Sequence, residues 1–263
     1  MSSPAATSLP CRVCATPAAT LFNGQLLSQR TEYFECGACG YVQTQTPTWL
    51  DEAYAEAINR SDTGILRRNA RNARLVIRVL AMLDALRGRV LDCAGGYGLL
   101  VRMLRDLGVD ARWRDRYADN LVARGFEQAD DERADLVTAF EAMEHFVAPV
   151  EELDRLMALA DAVLVSTDLI PDPAPAPGTW WYYGPEHGQH IGFFRLRTLQ
   201  QLAQRAGWHL NSDGRSFHLF TRQPLPRWRW RWARATLRLA PLTARLRLKS
   251  RVWTDHAEMS ARP

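Results

Sequence analysis

Four cysteines stand in two short pairs, Cys11-x-x-Cys14 and Cys36-x-x-Cys39, with 21 residues between the pairs. A CxxC turn holds two thiolates on one side of a tetrahedral ion, so this spacing predicts a Zn2+ site ligated by Cys11, Cys14, Cys36 and Cys39. Four thiolates leave no open position, which makes the expected role structural. A segment of about 40 residues buries too little core to fold alone, so metal would supply on the order of 10 kcal/mol. Gly37 and Gly40 ease the second turn. The alternative, four unrelated reduced thiols, leaves the paired spacing without a cause. The fifth cysteine, Cys93, reads as a small core residue rather than a nucleophile.

A second pattern is Val90-Leu91-Asp92-Cys93-Ala94-Gly95-Gly96-Tyr97-Gly98. An apolar run ends, the chain turns tightly on glycines, and a helical pattern begins. Glycines let backbone amides approach a ligand, and a helix N-terminus favours an anion. Asp92 can meet an ammonium group or order the loop. Asp115 closes the next apolar run 23 residues further on, a place suited to binding a ribose diol. A tight strand-to-helix turn without a ligand is the plain alternative.

A third candidate follows a long proline-rich stretch, Pro171 to Gly178, which is expected to be functional or mobile. It leads into Trp180-Trp181-Tyr182-Tyr183 and then His187-Gly188-Gln189-His190. The three-residue histidine spacing could hold metal on a helix, but Gly184, Pro185 and Gly188 argue against one. A general base is the better chemical role, since histidine titrates near pH 6.5. A packed, hydrogen-bonded histidine is the structural alternative. Glu144 and His145 fall just after another apolar run, where they would touch substrate or cap the next element.

These groups need elements to place them. Strands are expected at 89–93, 110–115, 134–140 and 162–167, with helices at 99–107, 150–159 and 196–206. Residues 208–211 and 217–222 flank Ser212-Asp213-Gly214 and read as an antiparallel hairpin. The 51–86 stretch reads as helical, with Leu66, Ala70, Ala73, Ile77, Leu80 and Leu83 on one face. A strand between Gly125 and Glu132 is hard to find, and Asp130 or Asp131 is the candidate for an acid at its end. Alternating strands and helices make the fold class α/β.

The acid–glycine turn, Asp115 and the Asp135–Glu141 strand followed by Ala142-Met143-Glu144-His145-Phe146 resemble the class I S-adenosylmethionine-dependent methyltransferases. The first motif of that family is acid-x-Gly-x-Gly-x-Gly, and Ala94 stands here for its first glycine. The resemblance implies a Rossmann-like sheet of seven strands. It also implies S-adenosylmethionine held by Asp92, Ala94, Gly95, Gly96, Gly98, Asp115 and Phe140. The segment His190-Ile191-Gly192-Phe193-Phe194, together with the cysteine pairs, is similar to zinc-binding sugar C-methyltransferases. A more general similarity is to small bacterial polysaccharide or secondary-metabolite methyltransferases. This implies His190 as base, with Glu144 and His145 near the acceptor. The His-Glu-His of the sugar enzymes is altered here, and their long C-terminal domain has no counterpart. No Asn-Pro-Pro-Tyr-type segment follows the fourth strand, which points to oxygen or carbon on a small-molecule or saccharide-type acceptor. The implied organisation is a zinc module at 1–48, a helical linker at 49–88, a methyltransferase core at 89–222 and a basic tail at 223–263.

The chain of 263 residues is 47% hydrophobic and 24% charged, an ordinary globular composition that excludes a disordered or fibrous protein. No apolar run suggests a spanning helix and no signal peptide opens the chain, so a cytoplasmic location is expected. The formal charge of +4 conceals an uneven distribution, because Arg222 to Arg251 holds ten basic residues and no acid. The Arg227-Trp228-Arg229-Trp230-Arg231-Trp232 run leaves three readings open. These are a helix docked on the domain, a membrane-surface segment over 224–251 on the inner membrane face, and an RNA-binding tail serving an RNA methyltransferase. A non-catalytic binding protein of the same fold is a further alternative.

Overall fold

The computed structural model of the chain describes residues 8–55, 58, 62–128 and 132–261. Short apolar runs form the fully buried strands β7 (Leu136–Phe140) and β8 (Ala162–Ser166), as expected for strands covered on both faces. Four small antiparallel strands occupy the N-terminal stretch: β1 (Ser8–Pro10), β2 (Pro17–Leu26), β3 (Gln29–Glu35) and β4 (Val42–Thr44). Helices α1 (Leu50–Ala53) and α2 (Ile65–Met82) follow, then β5 (Arg89–Cys93), α3 (Leu99–Asp106) and β6 (Asp110–Arg114). After β7 come α4 (Pro149–Leu159), β8, β9 (Gly192–Phe193), α5 (Leu196–Arg205) and the strands β10 (His209–Ser212) and β11 (Phe217–Thr221). Helices α6 (Arg227–Ala235), α7 (Ala240–Arg247) and α8 (Val252–Ser260) end the chain.

Among the described residues the larger sheet has six strands, in the order β10-β11-β8-β7-β5-β6. Strand β5 pairs in parallel with β6 and β7, which sets Asp92 opposite both Trp113 and Thr138. Among the described residues, the seventh strand implied by resemblance is represented by one parallel bridge between Trp113 and Glu127. Asp130 and Asp131 lie outside the described residues. No helix among the described residues is long and apolar enough to cross a membrane.

The chain divides into two compact units. The first comprises 1–56, 141–155 and 165–220. Its smaller sheet runs β1-β2-β3-β4-β9, so a strand from the histidine segment joins the strands that flank the two cysteine turns. Tyr33, Trp49, Tyr182, Tyr183, Ile191 and Phe193 pack into one aromatic-rich cluster. The Trp49 indole donates to the Gly188 carbonyl at 2.8 Å. The aromatic segment that follows the proline-rich stretch is therefore part of the core of this unit.

The second unit comprises 57–140, 156–164 and 221–263. Helix α2 buries nearly its whole circumference from Asn72 to Leu80, including Arg78. The tail helices α6 and α7 cover its outer side. Arg78 donates to the Thr236 and Thr243 hydroxyls at 3.0 and 2.8 Å, and its guanidinium lies 4.1 Å from the Trp232 ring. Leu66, expected on the apolar face, is 59% exposed because it lies in the first turn, ahead of that contact. Helices α6 and α7 of the tail are thus packed on α2, while Trp228, Leu242, Leu246 and Trp253 remain exposed. Burial alone would raise the Asp255 carboxyl, but hydrogen bonds from Arg105 and Arg102 hold it below the ordinary carboxylate value.

Candidate functional site

Three sets of chemistry-bearing residues are built, the first and third in the first unit and the second in the other. The cysteine set rests on two turns of the same design. The Cys11 amide donates to Thr16 O and the Ala15 amide to Cys11 O; the Cys36 amide donates to Tyr41 O and the Gly40 amide to Cys36 O. The fourth residue after each leading cysteine is left-handed, Ala15 at φ 61° and Gly40 at φ 75°. The Sγ atoms of all four cysteines lie within 4.8 Å of one another. Cys11 and Cys39 approach to 3.5 Å, and Cys14 and Cys36 to 3.4 Å. Bonds of about 2.3 Å to one tetrahedral ion place thiolates about 3.8 Å apart, so the four sulfurs fit Zn2+ closely. As thiols they crowd one another: the bond Cys39 gives Cys11 draws Cys11 down to about 5, and the same contact raises Cys39.

The glycine turn joins β5 to α3. Ala94, Gly96 and Gly98 all take left-handed backbone, at φ 63°, 52° and 86°. Ala94 therefore occupies a conformation that suits glycine better. Gly98 is also needed for closeness, because a Cβ there would lie 2.7 Å from Asn120 Oδ1 and 2.9 Å from Ala123 Cβ. Behind the turn, Asp92 is 3% exposed and accepts a bond from the Thr138 hydroxyl at 2.6 Å. Burial pushes its carboxyl up to about 7, opposed by Thr138 and reinforced by the charge of Asp115. Asp115 reaches back to the turn and accepts from the Gly96 amide at 2.8 Å. Its other oxygen accepts from the Tyr117 and Ala118 amides. The Trp113 indole, which sequence reasoning missed, donates to Gly96 O at 2.8 Å. Phe140 ends β7 and is buried, and Cys93 is a buried core thiol pushed up to about 12 by burial. A tightly bent backbone, one buried acid and one acid tied to the bend fit a nucleoside carrying an amino-acid cation.

The third set gathers Glu144, His145 and His190. A single 3-10 turn, Met143–His145, carries the first two. Glu144 is fully buried, and neither carboxylate oxygen has a hydrogen-bond partner. The Tyr182 and Thr167 hydroxyls favour its ionised form without reaching hydrogen-bond geometry, and burial pushes the carboxyl up to about 7. Glu144 Oε1 lies 3.9 Å from His145 Nε2 and 4.0 Å from His190 Nε2. Each ring is held from its far side, His145 Nδ1 by the Tyr54 hydroxyl at 2.8 Å and His190 Nδ1 by the Tyr182 carbonyl at 2.6 Å. A carbonyl only accepts, so His190 carries its proton on Nδ1 and presents a lone pair at Nε2. Burial lowers both histidines, His190 to about 4, so both are neutral near pH 7. His187 stacks edge-on to His190 at 4.7 Å, in a turn rather than a helix.

Ile191 joins the first and third sets. Its amide donates to Glu144 O at 2.9 Å. Its carbonyl accepts from the Thr44 amide at 3.0 Å and from Arg12 Nη1 at 3.2 Å. Arg12 lies between Cys11 and Cys14. Two further bonds tie the second cysteine turn to α5: the Thr198 hydroxyl donates to Cys39 O at 2.8 Å, and Arg195 donates to Gly40 O at 3.0 Å.

Residues 65–212 match the family described as a methyltransferase domain. No curated protein sequence matches the chain. Among solved structures it is similar to TnmH, with 19% identity over 67% of this chain and 62% of that one and a TM-score of 0.47. It is also similar to an O-methyltransferase family protein from Burkholderia thailandensis, with 15% identity, coverage of 68% and 64%, and a TM-score of 0.43. A third similar structure is the magnesium protoporphyrin IX methyltransferase ChlM from Synechocystis PCC 6803 with bound SAH. It shows 15% identity, coverage of 68% and 96%, and a TM-score of 0.42. The chain spans less than two thirds of the length of the first two.

Proposed function

The chain belongs to the methyltransferase-domain family; from that premise we propose that it is a class I S-adenosylmethionine-dependent methyltransferase acting on an oxygen or carbon of a small-molecule or saccharide-type acceptor. S-adenosylmethionine supplies an electrophilic methyl group on a sulfonium. The 92–98 turn holds its methionine end, with Asp92 as the acid nearest the ammonium group, and Asp115 takes the ribose hydroxyls. The hydrogen bond from the Gly96 amide to Asp115 supports this reading most directly, because it joins the two halves of the expected cradle.

On the acceptor side, His190 Nε2 takes the acceptor's proton. Its lone pair is fixed by the Nδ1 bond to Tyr182 O, and Glu144 offsets the imidazolium charge that forms. Orientation of the two substrates accounts for most of the acceleration. The four cysteines hold a structural Zn2+ that shapes the strand carrying the histidine segment. Calorimetric titration with S-adenosylmethionine tests the donor side, and no binding at millimolar concentration overturns it. One zinc per chain by elemental analysis is expected for the purified protein.

A further inference from the structure

We propose that Glu144 Oε1, His145 Nε2 and His190 Nε2 bind a divalent cation of the manganese, iron and zinc class, separate from the four-cysteine site. One ligand atom from each of the three lies within 4.8 Å of the others. Both histidines have the far ring nitrogen engaged, by Tyr54 and by the Tyr182 carbonyl, the arrangement that fixes a histidine as a metal ligand. The second, independent observation is Glu144 itself. A carboxylate with no exposure and no hydrogen-bond partner on either oxygen is costly to keep unless a cation satisfies it. Bonds of about 2.1 Å would bring the three atoms to about 3.0–3.4 Å apart. That is a contraction of about 1 Å or less from the two glutamate–histidine separations of 3.9 and 4.0 Å, and of less than about 2 Å for the histidine pair, whose ligand atoms lie within 4.8 Å.

Two imidazoles and one carboxylate suit borderline and harder divalent ions, and three protein ligands leave positions open. The cysteine set has no such vacancy. The inference rests on the methyl-transfer reading for its use. A cation here polarises an acceptor oxygen; the O–H bond breaks, its proton passes to water and an oxygen–cation bond forms. Methyl transfer then forms the C–O bond as the S–CH3 bond breaks, with the electron pair remaining on sulfur. The acceptor is thereby narrowed to a hydroxyl or enol, best one with a neighbouring oxygen that completes a chelate. With the cation bound, His190 is a ligand rather than the base.

The test titrates the zinc-loaded full-length chain with MnCl2 and follows free Mn2+ by electron paramagnetic resonance. Mn2+ is chosen because it does not compete for thiolates. One Mn2+ per chain is expected. The affinity should fall at least about tenfold in Glu144→Gln and His190→Gln, and about tenfold in Tyr54→Phe, while His209→Gln leaves it unchanged. A wild-type chain that takes up no Mn2+ overturns the site without reference to any variant. Glu144→Gln binding as tightly as wild type does so as well. S-adenosylmethionine titrated into the same samples keeps the two readings apart. Loss of donor binding with Mn2+ uptake intact would sink methyl transfer and leave the cation site standing.

Discussion

The turn from Asp92 to Gly98 takes its shape from seven consecutive residues and one acid that reaches back to Gly96. Glu144, His145 and His190 take theirs from Tyr54, Tyr182 and Ile191, which reach the cluster from separate parts of the chain. The first region stores its geometry in backbone dihedrals. The second stores it in hydrogen bonds between segments, and so depends on everything that holds those segments. A local site should lose function in small, separable steps, whereas an assembled one should fail as a whole.

Zinc removal is the harshest way to break that contrast. Chelation should cost the first unit on the order of 10 kcal/mol, seen as fast amide exchange throughout β1–β4 and β9. If those amides stay protected, the cluster is less dependent on distant support than its bonds imply. His190→Gln should lower turnover by about 10²- to 10⁴-fold and leave donor affinity unchanged, measured by steady-state kinetics beside calorimetry.

On the local side, Asp92→Asn sharpens the comparison through pH. Burial raises the folded carboxyl to about 7, so the folded chain keeps a proton that the unfolded chain sheds above about pH 4. Stability contributed by this group is therefore full at low pH, declines as pH rises towards 7 and then levels off. The asparagine variant should lack this decline and stand about 2–4 kcal/mol above wild type at pH 8 in urea titrations, while binding donor more weakly. Asp115→Ala should weaken donor affinity by about 1.5–3 kcal/mol, since it removes a charged partner and frees the Gly96 amide. Ala94→Gly is the mildest change. It relieves a left-handed alanine but loosens the unfolded chain, so a gain of about 0.5 kcal/mol or less is expected in thermal melts.

The same distinction decides what could be read from the sequence. Strands β5 to β8, helices α3 to α5 and the 208–222 turn follow from local apolar periodicity and glycine punctuation, and they lie within a few residues of expectation. The cysteine pairs and the Asp92–Gly98 turn were legible for that reason. The third strand was not, because among the described residues it shows only one bridge, between Trp113 and Glu127, and a single bridge leaves no periodicity to read. Nor could α2 announce its second buried face, since the cover comes from Trp232, Thr236 and Thr243 far along the chain. The Glu-His pair at 144–145 was visible as a motif. Its tie to Tyr54 and to a lone pair on His190 was not, because no spacing encodes a contact across 91 residues.

The peptide at Ile191 couples the first cysteine turn to the buried carboxylate. Its carbonyl is gripped by Arg12 from inside the first cysteine turn, and its amide grips the residue that carries the buried carboxylate. On the proposed zinc reading, a newly made polypeptide that has not yet acquired the ion lacks the ordered first cysteine turn and with it the Arg12 grip, and keeps only the bonds to Thr44 and Glu144. On that reading maturation and competence are a single event, and a cell starved of zinc would accumulate the chain in an idle form rather than a careless one.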